Sequence, residues 1–172
     1  MKANTIFLII ITTFVSFGAI SSTENPEETL IISASRVPKP EQNITVASTV
    51  LDEDLINKRN AHFATDLLRL VPGLTVSNTG GLGKFSQVRM RGSEGNHVMV
   101  LIDGMEMNDV ALSDEFDFGH LMSTNIGKIE VIRGPHSALW GSDAVAGVIN
   151  IVTKNPKYGR HAKATVDAGT HG

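Results

Sequence analysis

Lys128–Lys154 reads KIEVIRGPHSALWGSDAVAGVINIVTK, and its two apolar runs decide the fold. Ile129–Ile132 reads as a strand, stopped by Arg133, Gly134 and Pro135. A short turn-rich segment follows and ends at Gly141-Ser142. A second strand, opened by a glycine, runs Gly147–Thr153. Val131, Ile132, Val148, Ile149, Ile151 and Val152 are β-branched, which suits pleated, buried strands. The residues alone therefore predict two buried strands joined by a tight connection.

Working outward, Val98–Met105 (VMVLIDGM) reads as a further buried strand ending in the turn pair Asp103-Gly104. Gln87–Gly92 alternates and reads as a strand. Phe63, Leu67, Leu68 and Val71 mark one helical face, and Pro72-Gly73 stops that helix before a strand at Leu74–Ser77. Asp52–Arg59 reads as a helical turn whose first residues are acidic, where the helix dipole favours them. Asn43–Leu51 precedes it as a strand.

The N-terminus carries a targeting pattern. Lys2 is basic, Ile6–Phe17 is apolar, and Ala19-Ile20-Ser21 offers small residues for cleavage, so residues 1–21 read as an export signal. The apolar run is short for a membrane span. Ser22–Glu28 is polar and contains Pro26, which predicts a flexible tail over 22–40. The chain has no cysteine, so disulfides and thiolate metal sites are excluded. A net charge of −3 and 41% hydrophobic residues give no footing for nucleic acid. At the other end Ala162, Ala164, Val166 and Ala168 alternate with His161, Lys163, Thr165 and Asp167. That period of two fits a half-exposed strand of a soluble sheet or a transmembrane barrel strand.

The sequence gives catalysis little support. Asn78–Lys84 is glycine-rich, but it precedes a strand rather than opening a helix, so it is not a dinucleotide fingerprint. A turn is the simpler reading. Met107–Phe118 carries Asp109, Asp114, Glu115 and Asp117. Their spacing is not that of an EF-hand, and a solvated acidic loop is the commoner outcome. The six histidines are scattered without metal spacing. Arg91-Gly92-Ser93-Glu94-Gly95 lacks the residue a nucleophile elbow needs between glycine and serine. No cofactor, metal site or enzymatic constellation is expected. Arg91 and Arg133 sit at strand ends before glycine. If buried they need fixed acceptors, with Asp103 and Glu130 as candidate carboxylate partners; otherwise they are plain surface charge.

The strings TLIISASR, LLRLVPGL, VLIDGM and IRGPHSALWGSDAVAGVINI occur in an order that resembles the plug of TonB-dependent outer-membrane receptors. Within that family they are most similar to the vitamin B12 (cobalamin) receptors. Trp140 stands where tyrosine is usual, and Val145-Ala146-Gly147 replaces a double glycine. The resemblance implies an α+β plug (cork) domain over 41–155, with a mixed four-stranded sheet and short helices. It implies that residues 160–172 begin a barrel whose remainder is absent from these 172 residues. Receptors of this kind belong to the plugged-lumen class of about 22 strands.

The run Glu28, Thr29, Leu30, Ile31, Ile32, Ser33, Ala34, Ser35 reads equally as a first sheet strand or as a segment for strand addition. The resemblance makes it a Ton box, which contacts the energy transducer TonB. By the same resemblance, apical ligand contacts fall at Phe85, Gln87, Glu94, Leu112 and Ser113, with Glu94 departing from a neutral polar residue. The charges at Arg91 and Arg133 would tie plug to barrel. The implied partners are TonB, the β-barrel of the same or a split receptor, and a bulky ligand such as cobalamin, a ferric siderophore or haem. The implied location is the outer membrane of a Gram-negative bacterium, or the periplasm for the chain alone. The alternatives are a free-standing periplasmic binding or signalling module and an inactive truncated fragment.

Overall fold

The computed structural model describes residues 47–154, together with the backbone of residues 30–31 and 39–40. The expected export signal, most of the tail, residues 43–46 of the first strand and the 160–172 strand lie outside the described residues.

The β-branched runs assemble into one mixed sheet. β1 (Leu30–Ile31) and β2 (Lys39–Pro40) pair only with each other, antiparallel. β3 (Ala47–Leu51) lies antiparallel to β8 (Ile126–Arg133), which lies antiparallel to β9 (Gly147–Thr153). β9 runs parallel to β6 (Val98–Ile102), and β7 (Met105–Glu106) closes the far edge against β6. The order is β3-β8-β9-β6-β7, five strands where the sequence suggested four. The extra strand arises because VMVLIDGM is a hairpin rather than one strand. Asp103 and Gly104 both take positive φ, 50° and 81°, which is the turn a right-twisted hairpin requires. The strand over 87–92 likewise ends early. β5 (Ser86–Met90) stops at Met90, and Arg91 and Gly92 turn left-handed at φ 52° and 79°.

α1 (Glu53–Arg59) forms as the sequence requires. Asp52 accepts from the Leu55 amide at 2.7 Å, Glu53 and Asp54 face the positive end, and Lys58 and Arg59 the negative. α2 (Ala64–Leu68) buries Leu67 and Leu68, with Val71 buried just beyond and Phe63 half-buried at its start. It packs with β4 (Leu74–Asn78) and β5, a separate two-stranded hairpin, over one face of the large sheet. The main core lies there: Leu51, Leu67, Leu68, Val88, Met90, Val100, Phe118, Ile129, Val131, Ile149 and Ile151 are almost solvent-free. The opposite face carries Met99, Leu101, Val148 and Ala144. Trp140, from the short helix α3 (Ser137–Trp140), covers this group.

Two features set tolerances inside the sheet. At Gly147 a Cβ would land on the Ile132 carbonyl oxygen and the Met90 sulfur, so only glycine lets β9 lie this close to both. Glu130 is fully buried in β8, with Lys128 Nζ at 2.7 Å and Asn150 Nδ2 at 3.1 Å. A carboxylate there is tolerable because it is paired and hydrogen-bonded.

Candidate functional site

The expected arginine–carboxylate pairs do not form. Arg133 instead donates to backbone carbonyls, 2.7 Å to Pro72, 3.1 Å to Ser48 and 3.5 Å to Ala47. The strand end places its guanidinium against the start of β3 and the Pro72-Gly73 turn. Asp103 accepts from the Thr153 amide at 2.8 Å and hydroxyl at 2.7 Å, which fastens the β6–β7 turn to the end of β9. Glu130 is engaged by Lys128 and Asn150 as described. Arg91 is exposed and makes no side-chain hydrogen bond with a described residue.

Of the predicted ligand contacts, Gln87 lies in β5 and Phe85 just before it. Side chains alternate there: Ser86, Val88 and Met90 are buried, which turns Phe85, Gln87 and Arg89 outward. Phe85 closes the glycine-rich loop, its carbonyl accepting from the Thr79 amide and hydroxyl at 3.0 and 3.1 Å. Gln87 Nε2 donates to Glu115 at 2.5 Å, and its Oε1 accepts from Arg89 Nε at 2.7 Å. Arg89 also meets Glu94 at 3.2 Å. Leu112 ends a short 3₁₀ turn over 110–112 and is 42% exposed, while Ser113 turns left-handed at φ 61°. Gln87 and Glu94 are thus brought together through Arg89. Leu112 and Ser113 join them through Glu115 of the same loop.

The acidic residues of that loop hold it in shape. Asp117 Oδ1 accepts from the amides of Ser86 and Gly119 at 2.9 and 2.8 Å, and Asp109 caps the Ala111 amide at 2.9 Å. Asn108 imitates a strand along β6, accepting from Val100 and donating to Val98 and Asp114. Among the described residues, no cluster of His, Asp or Glu has metal-binding geometry. A cleft of 60 Å³ beside Phe63, Arg69, Asn78 and Leu82 has room for little more than water; the loops around it form an open outer surface. That surface is apolar in places: Leu82 and Val110 are 85% and 83% exposed. Sequence reasoning did not single out Arg89 and placed Glu115 only in an acidic loop. The i, i+2 spacing of Gln87 and Arg89 on a strand could have suggested the first; nothing local signals the second.

No helix among the described residues is long and apolar enough to cross a membrane. The mixed sheet, the short helices and the loop-built outer surface define a plug-type α+β domain with no closed barrel among the described residues. Residues 40–148 match the TonB-dependent receptor plug domain, and the chain belongs to that family. Among solved structures it is similar to the ferric yersiniabactin uptake receptor FyuA from Yersinia pestis. The two are 28% identical with a TM-score of 0.52, over 72% of this chain and 18% of that one. The siderophore receptor PirA from Acinetobacter baumannii is 27% identical with a TM-score of 0.53, over 64% of this chain and 17% of that one. FpvA of P. aeruginosa, bound to heterologous pyoverdines, is 21% identical and shares the fold at a TM-score of 0.59, over 74% of this chain and 16% of that one. The chain spans less than a fifth of each of these proteins.

Proposed function

We propose that this chain is the plug of an outer-membrane receptor that imports a bulky metal chelate, with TonB supplying the energy. The plug-family match over residues 40–148 carries the proposal. Such a protein transports and does not catalyse. Residues 1–21 direct export, 22–40 carry the Ton box at 28–35, 41–155 form the plug, and 160–172 open the barrel. Phe85, Gln87, Glu94, Leu112 and Ser113 meet the ligand together with barrel loops. On the periplasmic side the Ton box adds as a strand to TonB, and ligand binding and TonB engagement are coupled through the plug.

Ferric siderophores are the ligand class supported by the names of the structural neighbours, FyuA and PirA. Cobalamin is the specific candidate supported by the strings that resemble the vitamin B12 receptors. The Glu94 carboxylate departs from that branch, and its contact with Arg89 partly offsets the charge. Uptake of labelled cyanocobalamin, ferric siderophores and haemin decides between them, in cells making the receptor that carries this plug. One of these should accumulate, and accumulation should stop when TonB is deleted. Uptake of a probe that persists without TonB would refute the proposal.

A further inference from the structure

We propose that Arg89 and Glu115 are positioning residues that tie the three ligand-facing segments into one pre-ordered surface. The inference deepens the ligand-site reading above and rests on it. The segments are β5 with Gln87, the loop 91–97 with Glu94, and the loop 107–117 with Leu112 and Ser113. A single polar chain crosses all three: Glu115 to Gln87 at 2.5 Å, Gln87 to Arg89 at 2.7 Å, Arg89 to Glu94 at 3.2 Å.

The chemistry of the chain fixes its direction. The Gln87 amide has one donor end and one acceptor end. Glu115 can only accept, so it takes the Nε2 end. Arg89 can only donate, so it takes the Oε1 end. A carboxylate on one side and a guanidinium on the other thus select one of the two amide orientations. With Gln87 set, Arg89 has a second nitrogen free to reach Glu94, as the planar guanidinium fork allows.

The backbone reinforces the arrangement from below. Gly95 is buried, and a Cβ there would come within 2.9 Å of Gln87 Cγ, Gln87 Nε2 and the Glu115 carboxyl carbon. The loop that carries Glu94 therefore seats the Gln87–Glu115 contact directly on its own main chain. Packing and hydrogen bonding converge on the same pair of side chains.

The chain of contacts is largely exposed: the side chains of Arg89 and Glu94 are 41% and 61% accessible. Exposed ion pairs add little to folding. Their value here is geometric, because side chains fixed before binding lose less freedom when a ligand arrives. A substitution should leave the fold intact and weaken binding.

Two measurements test this. NMR of the 172-residue chain reads the relay without any ligand. Arg89→Met should shift the backbone amides of Leu112 and Ser113, and Glu115→Gln should shift that of Glu94. Shifts confined to the mutated residue's own segment would overturn the relay. The receptor carrying this plug then gives binding constants for cyanocobalamin, a ferric hydroxamate, a ferric catecholate and haemin. For whichever probe the wild type binds, Arg89→Met and Gly95→Ala should raise Kd roughly tenfold, the scale of one charge-assisted hydrogen bond. The thermal midpoint of Arg89→Met and the uptake rate at saturation of both variants should not change. Arg89→Lys should restore only part of the loss, since a point charge cannot serve Gln87 and Glu94 in fixed geometry. Unchanged Kd in these variants, while Phe85→Ala and Glu94→Gln weaken binding, would sink the relay and spare the ligand face. Unchanged Kd in all of them, or no probe bound by the wild type, would sink the ligand reading, and the amide shifts alone would then decide the relay.

Discussion

Gly147 shows how a single missing methyl group sets the sheet. Its Cβ would strike a carbonyl oxygen of β8, which belongs to a hydrogen-bonded ladder and cannot withdraw, and the sulfur of Met90 from the hairpin above. Gly147→Ala should cost on the order of 3 kcal/mol, the upper range for overpacking, read as a lower urea midpoint. Met90→Ala in the same background should recover little, because the carbonyl clash remains. Arg133 presents the opposite case, a side chain that stabilises by reaching. Arg133→Met should cost about 1–2 kcal/mol, since its contacts are charge-assisted but partly solvated. The sequence marked Arg133 as needing fixed acceptors but pointed to carboxylates. Carbonyls at a strand start and in a Pro-Gly turn carry no sequence signature, so that error could not have been avoided from residue types.

At the scale of elements, β9 begins and ends where its glycine and threonine suggest, because β-branched runs between turn residues admit one reading. The α1 caps were equally plain. The hairpin hidden in VMVLIDGM was not, since Met105 prolongs an apolar run and only the left-handed pair before it marks the turn. The candidate ligand contacts come from the family strings alone. The organisation of the site was not legible there, because Glu115 meets Gln87 across 28 residues. The Ton-box segment gives a prediction of its own. Leu30→Pro removes a ladder donor and fixes φ, so it should abolish TonB-driven uptake in the receptor while ligand still binds at the cell surface. Uptake at the wild-type rate would show that residues 28–35 do not pair with TonB. The Asp103 clamp on Thr153 is local to the β6–β7 turn. Asp103→Ala should lower stability by about 1–2 kcal/mol through lost hydrogen bonds and an unfavourable left-handed alanine, again visible in urea titration.

For the whole molecule, the candidate ligand contacts lie on loops and on the outward side of β5. If the site is shared with barrel loops, as proposed above, the plug alone should bind cyanocobalamin, ferric siderophores or haemin weakly. Losing about 4 kcal/mol of contacts lowers affinity roughly a thousandfold. Calorimetry on the purified chain checks this: nanomolar binding of any of these would mean that the plug loops form a complete site.

Arg133 also has a mechanical meaning. On the reading proposed above, a pull by TonB on residues 28–35 would load β3 from its N-terminal side, and β3 pairs with β8 alone among the described strands. Peeling such a strand from its end loads one rung at a time, so the first rungs set the force. Among the described rungs, the first two are the ones Arg133 grips, through the carbonyls of Ala47 and Ser48, while its other contact anchors it to Pro72. Under such a pull the guanidinium would act as a rivet at the N-terminal end of the described β3, resisting the tearing of that strand away from the sheet.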